Sequence, residues 1–108
     1  MDIQLKRGLL EICVLKALEK QDSYGYQIIK DLSPAVTLSE STLYPILKRM
    51  QSAGCIAEYS VAHNGRLRKY YHLTPVGKER IAEFLSEWAE VQRAYDFIKG
   101  KRHEEARF

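Results

Sequence analysis

The stretch of residues 39–54, SESTLYPILKRMQSAG, places polar groups and cations on one side of a predicted helix. Its apolar residues recur at i, i+3, i+4 and i+7 and so share one face: Leu43, Ile46, Leu47 and Met50. The other face carries hydroxyls, a phenol and cations but no carboxylate: Ser41, Tyr44, Pro45, Lys48 and Ser52, with Thr42 and Arg49 at its edge. A helix that only needs to be soluble usually mixes both signs of charge. This composition is instead typical of a helix that contacts phosphates and base edges.

Positive charge is concentrated in the same middle third of the chain. Residues 1–40 hold five Lys/Arg against six Asp/Glu, and residues 75–108 hold seven of each. Residues 41–74 hold five cations against Glu58 alone, a net charge of +4. Such a local excess is expected of a surface that binds a polyanion. The alternative is a basic patch without function.

The first helix, predicted over residues 5–20, is apolar around most of its circumference, and such a helix is buried on most sides. One side is expected to face the core of the domain: Leu10, Val14, Ala17 and Leu18. The other apolar side needs a second partner, which we expect to be another subunit: Leu5, Leu9 and Ile12.

A second helix is predicted over residues 24–32 and is broken by Ser33-Pro34. Gly25 lowers helix propensity by about 1 kcal/mol relative to Ala, which suggests tight packing or a helix start nearby. The third helix begins at Thr37, which forms a capping box with Glu40, or at Ser39. Pro45 then falls inside the helix and costs a hydrogen bond, so a late start or a bend is expected.

A β-hairpin with a basic tip follows the third helix. Residues 56–62 alternate like a strand, residues 68–73 form the returning strand, and Asn64-Gly65 between them is the strongest short hairpin motif. Gly54 is a candidate C-cap of the preceding helix. The predicted fold is mainly α with a small β-hairpin (α+β), in the order of a winged helix-turn-helix.

The last helix begins at Thr74-Pro75, with Thr as N-cap and Pro at the first helical position. Its apolar residues follow a heptad spacing, widened by Leu85: Ile81, Phe84, Trp88, Val91, Tyr95 and Ile98. We expect this seam to form a homodimer; the alternative is packing on its own domain. Residues 1–74 are predicted to form a DNA-binding domain, and residues 75–108 a dimerisation helix, ending at Gly100, with a frayed tail.

Catalytic and metal-binding patterns are not evident in the sequence. His63, His72 and His103 lack metal-ligand spacing, neither cysteine lies beside a histidine, and no Gly-rich phosphate loop occurs. We expect neither an enzyme nor a cofactor.

No apolar run approaches the ~18 residues of a membrane span, and the first residues lack the order of a signal peptide. A cytoplasmic protein without membrane association is therefore expected. Cys13 and Cys55 lie in apolar segments and are predicted to be buried thiols.

Four ordered motifs stand out along the chain: SYGYQI at 23–28, STLYPILKRM at 41–50, GCI at 54–56 and GRLRKYYHLTPVG at 65–77. In this order they resemble the PadR family of bacterial transcription regulators. The resemblance implies a winged-helix homodimer, usually a repressor of detoxification or efflux genes, that dimerises through its last and first helices. It also implies the short subfamily, with a single C-terminal helix.

The predicted partner is double-stranded DNA. Thr42, Tyr44 and Lys48 are expected in the major groove, with Arg49 at the edge of that face, while Ser39 and Ser41 suit phosphates near a helix N-terminus. The expected contacts of the hairpin are Asn64, Arg66, Arg68 and Lys69. Alternatively, Tyr44 packs on the hairpin, and Lys48 and Arg66 are plain solvated charges. Tyr70 and Tyr71 are expected to pack rather than to stack on bases.

Trp88 lies in the middle of the seam, where two copies would face each other. It could pack as plain dimer core, or form a wall for a planar aromatic ligand. The resemblance implies the second role, because multidrug-responsive relatives sandwich aromatic drugs with a Trp at this place. The corresponding lining residues would be Leu5, Gly8, Ile12 and Val91.

A winged helix reused as a protein-protein interaction module is the main alternative. Such a module need not concentrate cations on both the helix and the hairpin tip. RNA binding is less well supported, because an exposed aromatic platform is not evident.

Overall fold

The computed structural model describes the backbone of residues 3–100, and the predicted tail after Gly100 lies outside these residues. The elements follow in the order α1 (Ile3–Ala17), α2 (Gly25–Leu32), α3 (Glu40–Ser52), β1 (Ile56–His63), β2 (Arg66–Leu73) and α4 (Pro75–Lys99). The two strands form an antiparallel hairpin. The predicted fold class, mainly α with one small hairpin, is therefore confirmed.

The core lies between α1, α2, α3 and the base of the hairpin. Val14 and Leu15 of α1 and Ile28 of α2 are completely buried. The predicted apolar face of α3 points into this core, where each of its residues is at most 3% exposed: Leu43, Ile46, Leu47 and Met50. Burial of this face leaves the polar face of α3 on the surface.

Ser39, and not Thr37, caps the start of α3. The Ser39 hydroxyl accepts a hydrogen bond from the backbone N–H of Thr42 at 3.3 Å. The later of the two predicted starts is therefore correct. Pro45 is still inside the helix, where it cannot donate to the carbonyl of Ser41, yet α3 continues through it.

The end of α3 is joined closely to the start of α4. Gly54, at a φ of +80°, and Cys55 close the helix by donating to the carbonyls of Gln51 and Met50, the two bonds of a Schellman motif. The Thr74 hydroxyl donates to the Gly54 carbonyl at 2.6 Å. A Cβ on Gly77 would lie 2.3 Å from the Cys55 carbonyl oxygen, so only glycine permits this approach.

The hairpin turn has the predicted chemistry. Asn64 and Gly65 both have positive φ, 50° and 77°, as a type I′ turn requires. His63 consequently pairs with Arg66, and β2 begins two residues before the predicted strand. Ser23 adds a short bridge to Tyr71, with N–H···O distances of 3.2 and 2.8 Å, which attaches the hairpin to the segment before α2.

Among the described residues, helix α4 contacts the domain along its first turns. Ile81 is 4% exposed and belongs to the core of the single chain, so its predicted place in the dimer seam is wrong. Phe84 and Trp88 are half-buried. The remaining seam residues lie on the surface with exposed fractions of 48–79%: Leu85, Val91, Tyr95 and Ile98.

The predicted division of α1 is largely confirmed. Leu10, Val14 and Leu18 are buried, whereas Leu5 is 45% exposed and Leu9 and Ile12 are half-buried. Cys55 is buried as predicted, but Cys13 is only partly buried, because it lies on the less covered side of α1. None of the described helices combines the length and the hydropathy of a membrane span.

Candidate nucleic-acid interface

The exposed face of α3 presents a stripe of polar side chains. Ser41, Tyr44 and Lys48 follow each other at helical spacing, and all three are exposed. At the N-terminal end of the stripe, the Ser39 hydroxyl lies 3.0 Å from that of Ser41 and 3.1 Å from that of Thr42. These hydroxyls surround the free amides of the first turn, where the helix dipole favours an anion.

The Tyr44 side chain packs partly against α2 and is partly exposed to solvent. Its ring is 45% exposed, and a Cβ on Gly25 would lie 2.5 Å from its hydroxyl oxygen. This contact explains the glycine at the start of α2. The alternative that Tyr44 packs within the domain is therefore partly correct, although its partner is Gly25 of α2 and not the hairpin. About half of the ring is still available to a ligand.

Arg49 is directed away from the exposed stripe. Its Nε donates to Glu11 Oε2 of α1 at 2.9 Å, and its side chain is 40% exposed. Arg49 was predicted as a DNA contact from its position at the edge of the polar face. Its ion pair inside the domain gives it a structural role, while the exposed part of its side chain lines a cleft with Lys6 and Arg7, so its contact with DNA stays a prediction.

The cations of the hairpin differ in their surroundings. The Arg68 guanidinium lies 4.0 Å from the centroid of the Tyr24 ring, and Lys69 Nζ lies 3.7 Å from Glu58 Oε2. Asn64 and Arg66 are exposed at the tip. Arg66 at the tip thus presents its charge to solvent, whereas the charge of Lys69 in the middle of β2 is partly neutralised by Glu58.

A cleft of about 440 Å³ joins α3 to the hairpin. It is lined by Tyr44 from α3, Arg68 and Lys69 from β2, and Tyr26 from the start of α2. Tyr26 is 63% exposed and is not among the residues that the sequence predicts for this surface. The motif Tyr24-Gly25-Tyr26 could have indicated it, because the glycine marks a close approach of α3.

Two further cations were missed. Lys6 and Arg7, exposed on the first turns of α1, line a cleft of about 380 Å³ with Thr42 and Pro45 of α3. They were overlooked because residues 1–40 are slightly acidic as a whole. Only the fold shows that the basic end of α1 lies beside the N-terminal half of α3.

Comparison with known proteins agrees with this geometry. Residues 14–83 match the model of the transcriptional regulator PadR-like family. An uncharacterized protein of Lysinibacillus sphaericus is 35% identical over 100 residues, which cover 87% of this chain and 92% of that protein. The chain belongs to the PadR-like family of transcriptional regulators.

Solved structures support the same assignment. A PadR family transcription regulator of Clostridium difficile is similar with a TM-score of 0.74 and 35% identity, covering 82% of this chain and 95% of that one. A protein of Streptococcus mutans has a TM-score of 0.76 and 38% identity, covering 91% and 94%. This PadR-like chain is therefore a winged-helix transcription regulator and not an enzyme.

In this PadR-like chain the wing, residues 56–73, is anchored by Asp22 in the segment between α1 and α2. Asp22 accepts a hydrogen bond from the Tyr59 hydroxyl at 2.6 Å and pairs with His72 Nδ1 at 2.7 Å, so it connects both strands. These hydrogen bonds, that of Tyr59 first, hold the pKa of Asp22 below its ordinary value of 3.8. The same bond raises the pKa of Tyr59.

An aromatic row strengthens this anchor. The Tyr70 ring lies 5.4 Å from Tyr24 and 5.8 Å from Tyr59, measured between centroids. Tyr71, on the other face of β2, is buried in the core. Both residues therefore pack within the domain, as predicted, and the wing is held against α2 by rings as well as by Asp22.

Replacing Asp22 with Asn should lower the thermal midpoint at pH 7 by a few degrees, about what a loss of ~1 kcal/mol causes in a domain of this size. Because its folded-state pKa is depressed, Asp22 stabilises the fold above its unfolded pKa of about 3.8, and this contribution is lost as the pH falls below that value. Asp22→Asn should therefore show a flatter loss of stability in acid.

Thermal melts followed by circular dichroism between pH 7 and pH 2.5 measure both effects. The control is Asp31→Asn, because the hydrogen bond that Asp31 accepts in the described part of the chain comes from Gln27, one turn away on the exposed side of α2. Identical pH curves for the two variants would show that Asp22 does not anchor the wing.

Proposed function

We propose that this chain is a DNA-binding repressor that acts as a homodimer on a roughly palindromic operator in the cytoplasm. The observation that supports the proposal is the exposed polar stripe of Ser41, Tyr44 and Lys48 on α3, which the wing flanks; the one carboxylate of α3 is Glu40 in its first turn. In such a dimer two copies of α3 enter successive major grooves, and the half-sites lie about 34–36 Å apart.

We assign the proposed DNA contacts of α3 to side chains that are exposed to solvent. Thr42, Tyr44 and Lys48 are assigned to the major groove, because they extend from the N-terminal half of α3 along its exposed side. Ser39 and Ser41 are assigned to a phosphate at the start of α3.

The wing is assigned to the DNA backbone or the minor groove. Asn64 and Arg66 at the tip are the main contacts, since both are exposed and the turn between the strands carries them away from the core. Arg68 and Lys69 are expected to contribute less to DNA binding, because Arg68 already lies over the Tyr24 ring and Lys69 already pairs with Glu58.

The proposed dimer uses the exposed side of α4 together with the outer side of α1. Leu85, Val91, Tyr95 and Ile98 form an apolar surface beyond the point where α4 leaves the domain. Leu5, Leu9 and Ile12 extend this surface on α1, and Phe84 and Trp88 lie between the two groups. Residues 1–74 would then bind DNA, and residues 75–108 would set the separation of the two copies.

A protein-protein interaction module without specific DNA binding is the rival function. An acidic partner could occupy the same basic wing. Sequence selection and a salt dependence proportional to the number of phosphate contacts distinguish DNA from such a partner.

Replacing Arg66 and Lys48 with Ala should separate backbone contacts from base contacts. Arg66→Ala should weaken binding to all sequences and reduce the slope of log K against log salt by about 0.9 for each phosphate that the variant no longer neutralises. Lys48→Ala should cost about 1–3 kcal/mol on the operator and less on random DNA.

Mobility shifts at several salt concentrations measure both, with the operator obtained by selection from a random duplex library. Arg93→Ala, which removes an exposed cation from the side of α4 opposite the seam, is the control. An unchanged salt slope for Arg66→Ala would exclude the wing contact, and equal losses for Lys48→Ala on both DNAs would make it a phosphate contact.

Replacing Val91 with Glu should convert the dimer into a monomer and abolish tight operator binding. Two carboxylates would meet across the two-fold axis in an apolar seam, where an unpaired charge is strongly disfavoured. Sedimentation velocity measures the oligomeric state. Arg93→Glu places the same side chain on the far side of α4 and should leave the dimer intact; a dimer that survives Val91→Glu would place the interface elsewhere.

A planar aromatic effector is a second, independent part of the proposal. The rings of Phe84 and Trp88 are stacked at 5.7 Å and 16°, and Trp88 is half-buried. A cleft of about 200 Å³ beside Phe84 is lined by Gly8 and Ile12. Leu5 and Val91 would complete its walls in the dimer, and a ligand held there would change the angle between the two copies of α3.

Titration against Trp fluorescence tests this site, because Trp88 is the single tryptophan of the chain. Carboxylates of Glu83 and Glu87 line the same cleft, so planar cations should quench Trp88 more strongly than phenolic compounds of similar size. In the Val91→Glu variant, which lacks both the partner subunit and one proposed wall of the site, the quenching should be lost. No change in fluorescence with either class would assign Trp88 to plain dimer packing.

A further inference from the structure

Glu11 of α1 is buried between two helices that have different tasks in the proposed dimer. Within the part of the chain whose side chains the structure describes, it is the only charged residue in the core, at 8% exposure. A buried carboxylate is costly unless it is paired. Arg49 of α3 contacts Oε2 at 2.9 Å, and Arg80 of α4 lies 3.7 Å from Oε1.

We propose that Glu11 is a positioning residue that fixes the orientation of the DNA-reading helix α3 relative to α4, and thereby the half-site spacing that the dimer accepts. This inference rests on the proposed function. Each oxygen of the carboxylate faces a different arginine, so the two helices are coupled through one group on α1.

The link to α3 sets the rotation of that helix about its axis. Successive residues of a helix are separated by about 100°. With Arg49 held toward Glu11, the neighbouring Lys48 is turned outward, together with Tyr44 one turn earlier. Loss of the link would leave the apolar face buried but would allow the polar stripe to rotate by a small angle.

The link to α4 crosses a gap that apolar packing does not fill. A cleft of about 790 Å³ lies between the second half of α3 and the start of α4, and Lys48, Arg49, Arg80 and Glu11 are among its lining residues. The helices are also joined through the Thr74 hydroxyl and the Gly54 carbonyl, and through Ile81, which belongs to the same core as Met50; both joints lie in the first turns of α4. A joint at one end permits a hinge motion, which the pair of Arg80 with Glu11 restricts.

Replacing Glu11 with Gln keeps the shape of the side chain and removes its charge. We expect operator affinity to fall roughly tenfold, within the range found for residues that couple two sites. Affinity for random DNA should change by less than about twofold, because the phosphate contacts are kept. Arg80→Gln removes the link to α4 but keeps the pair of Arg49 with Glu11, so its loss should be no larger, and the double variant should be no worse than Glu11→Gln alone.

The measurement that identifies a positioning role is how operator affinity depends on the spacing between the half-sites. The operator selected by the wild-type protein is compared with versions in which one base pair is inserted or removed between the half-sites. The wild type should discriminate among them, and Glu11→Gln and Arg80→Gln should discriminate less. Glu19→Gln is the matched control, since Glu19 pairs with the nearby Lys16 on the surface near the end of α1.

Circular dichroism and Trp88 fluorescence establish that the variants fold; if Glu11→Gln does not, Arg80→Gln carries the test, because Arg80 is half-exposed. Unchanged spacing discrimination in the folded variants would overturn the inference. So would losses that multiply in the double variant. A wild-type protein that selects no operator contradicts the proposed function itself, which is a different outcome from an operator whose spacing Glu11 does not affect.

Discussion

Burial of one side of α3 is the constraint on which the rest of the structure depends. Four side chains on that side are almost completely enclosed, and burying each contributes about 1.5–3 kcal/mol. Pro45 in the same helix costs about 3 kcal/mol through its missing donor and its ring. The packing energy is two or more times larger, so α3 continues through the proline instead of starting after it. The same burial determines which side of α3 meets solvent.

Burial of α3 does not determine where α4 and the wing lie. Two sets of polar contacts fix these positions. The Schellman turn at Gly54 and the Thr74 hydroxyl place the first residue of α4 beside the last turn of α3. Asp22 holds the wing to the segment before α2 through one hydrogen bond to each strand. Helix α3, the wing and α4 are thus all attached to one small core, to which α1 contributes Val14 and Leu15.

The sequence predicted those features that depend on neighbouring residues. Asn64-Gly65 requires a tight turn, and Thr74-Pro75 starts a helix, whatever the rest of the chain does. The amphipathic pattern of α3 identified its buried side for the same reason. By contrast, the partners of Arg49 and Arg68 are 38 and 44 positions away along the chain, and no local pattern distinguishes a cation in an ion pair or over a ring from one that is free. Lys6 and Arg7 were missed because proximity to α3 is a property of the fold.

Ile81 shows where periodicity alone is insufficient. A heptad seam indicates that one side of α4 is covered, but the spacing is the same whether the cover is the same domain or a second copy. The structure divides the seam: Ile81 is enclosed within the chain, whereas Val91 and Ile98 are not. At 1.5 Å per residue, Ile98 lies about 25 Å along the helix from Ile81, beyond the reach of the small core. An apolar surface carried that far from its own domain is costly to leave in water. Its cover in the proposed dimer is the matching surface of a second copy, and the polar stripe of α3 then acquires a twin whose distance and angle are set by α4.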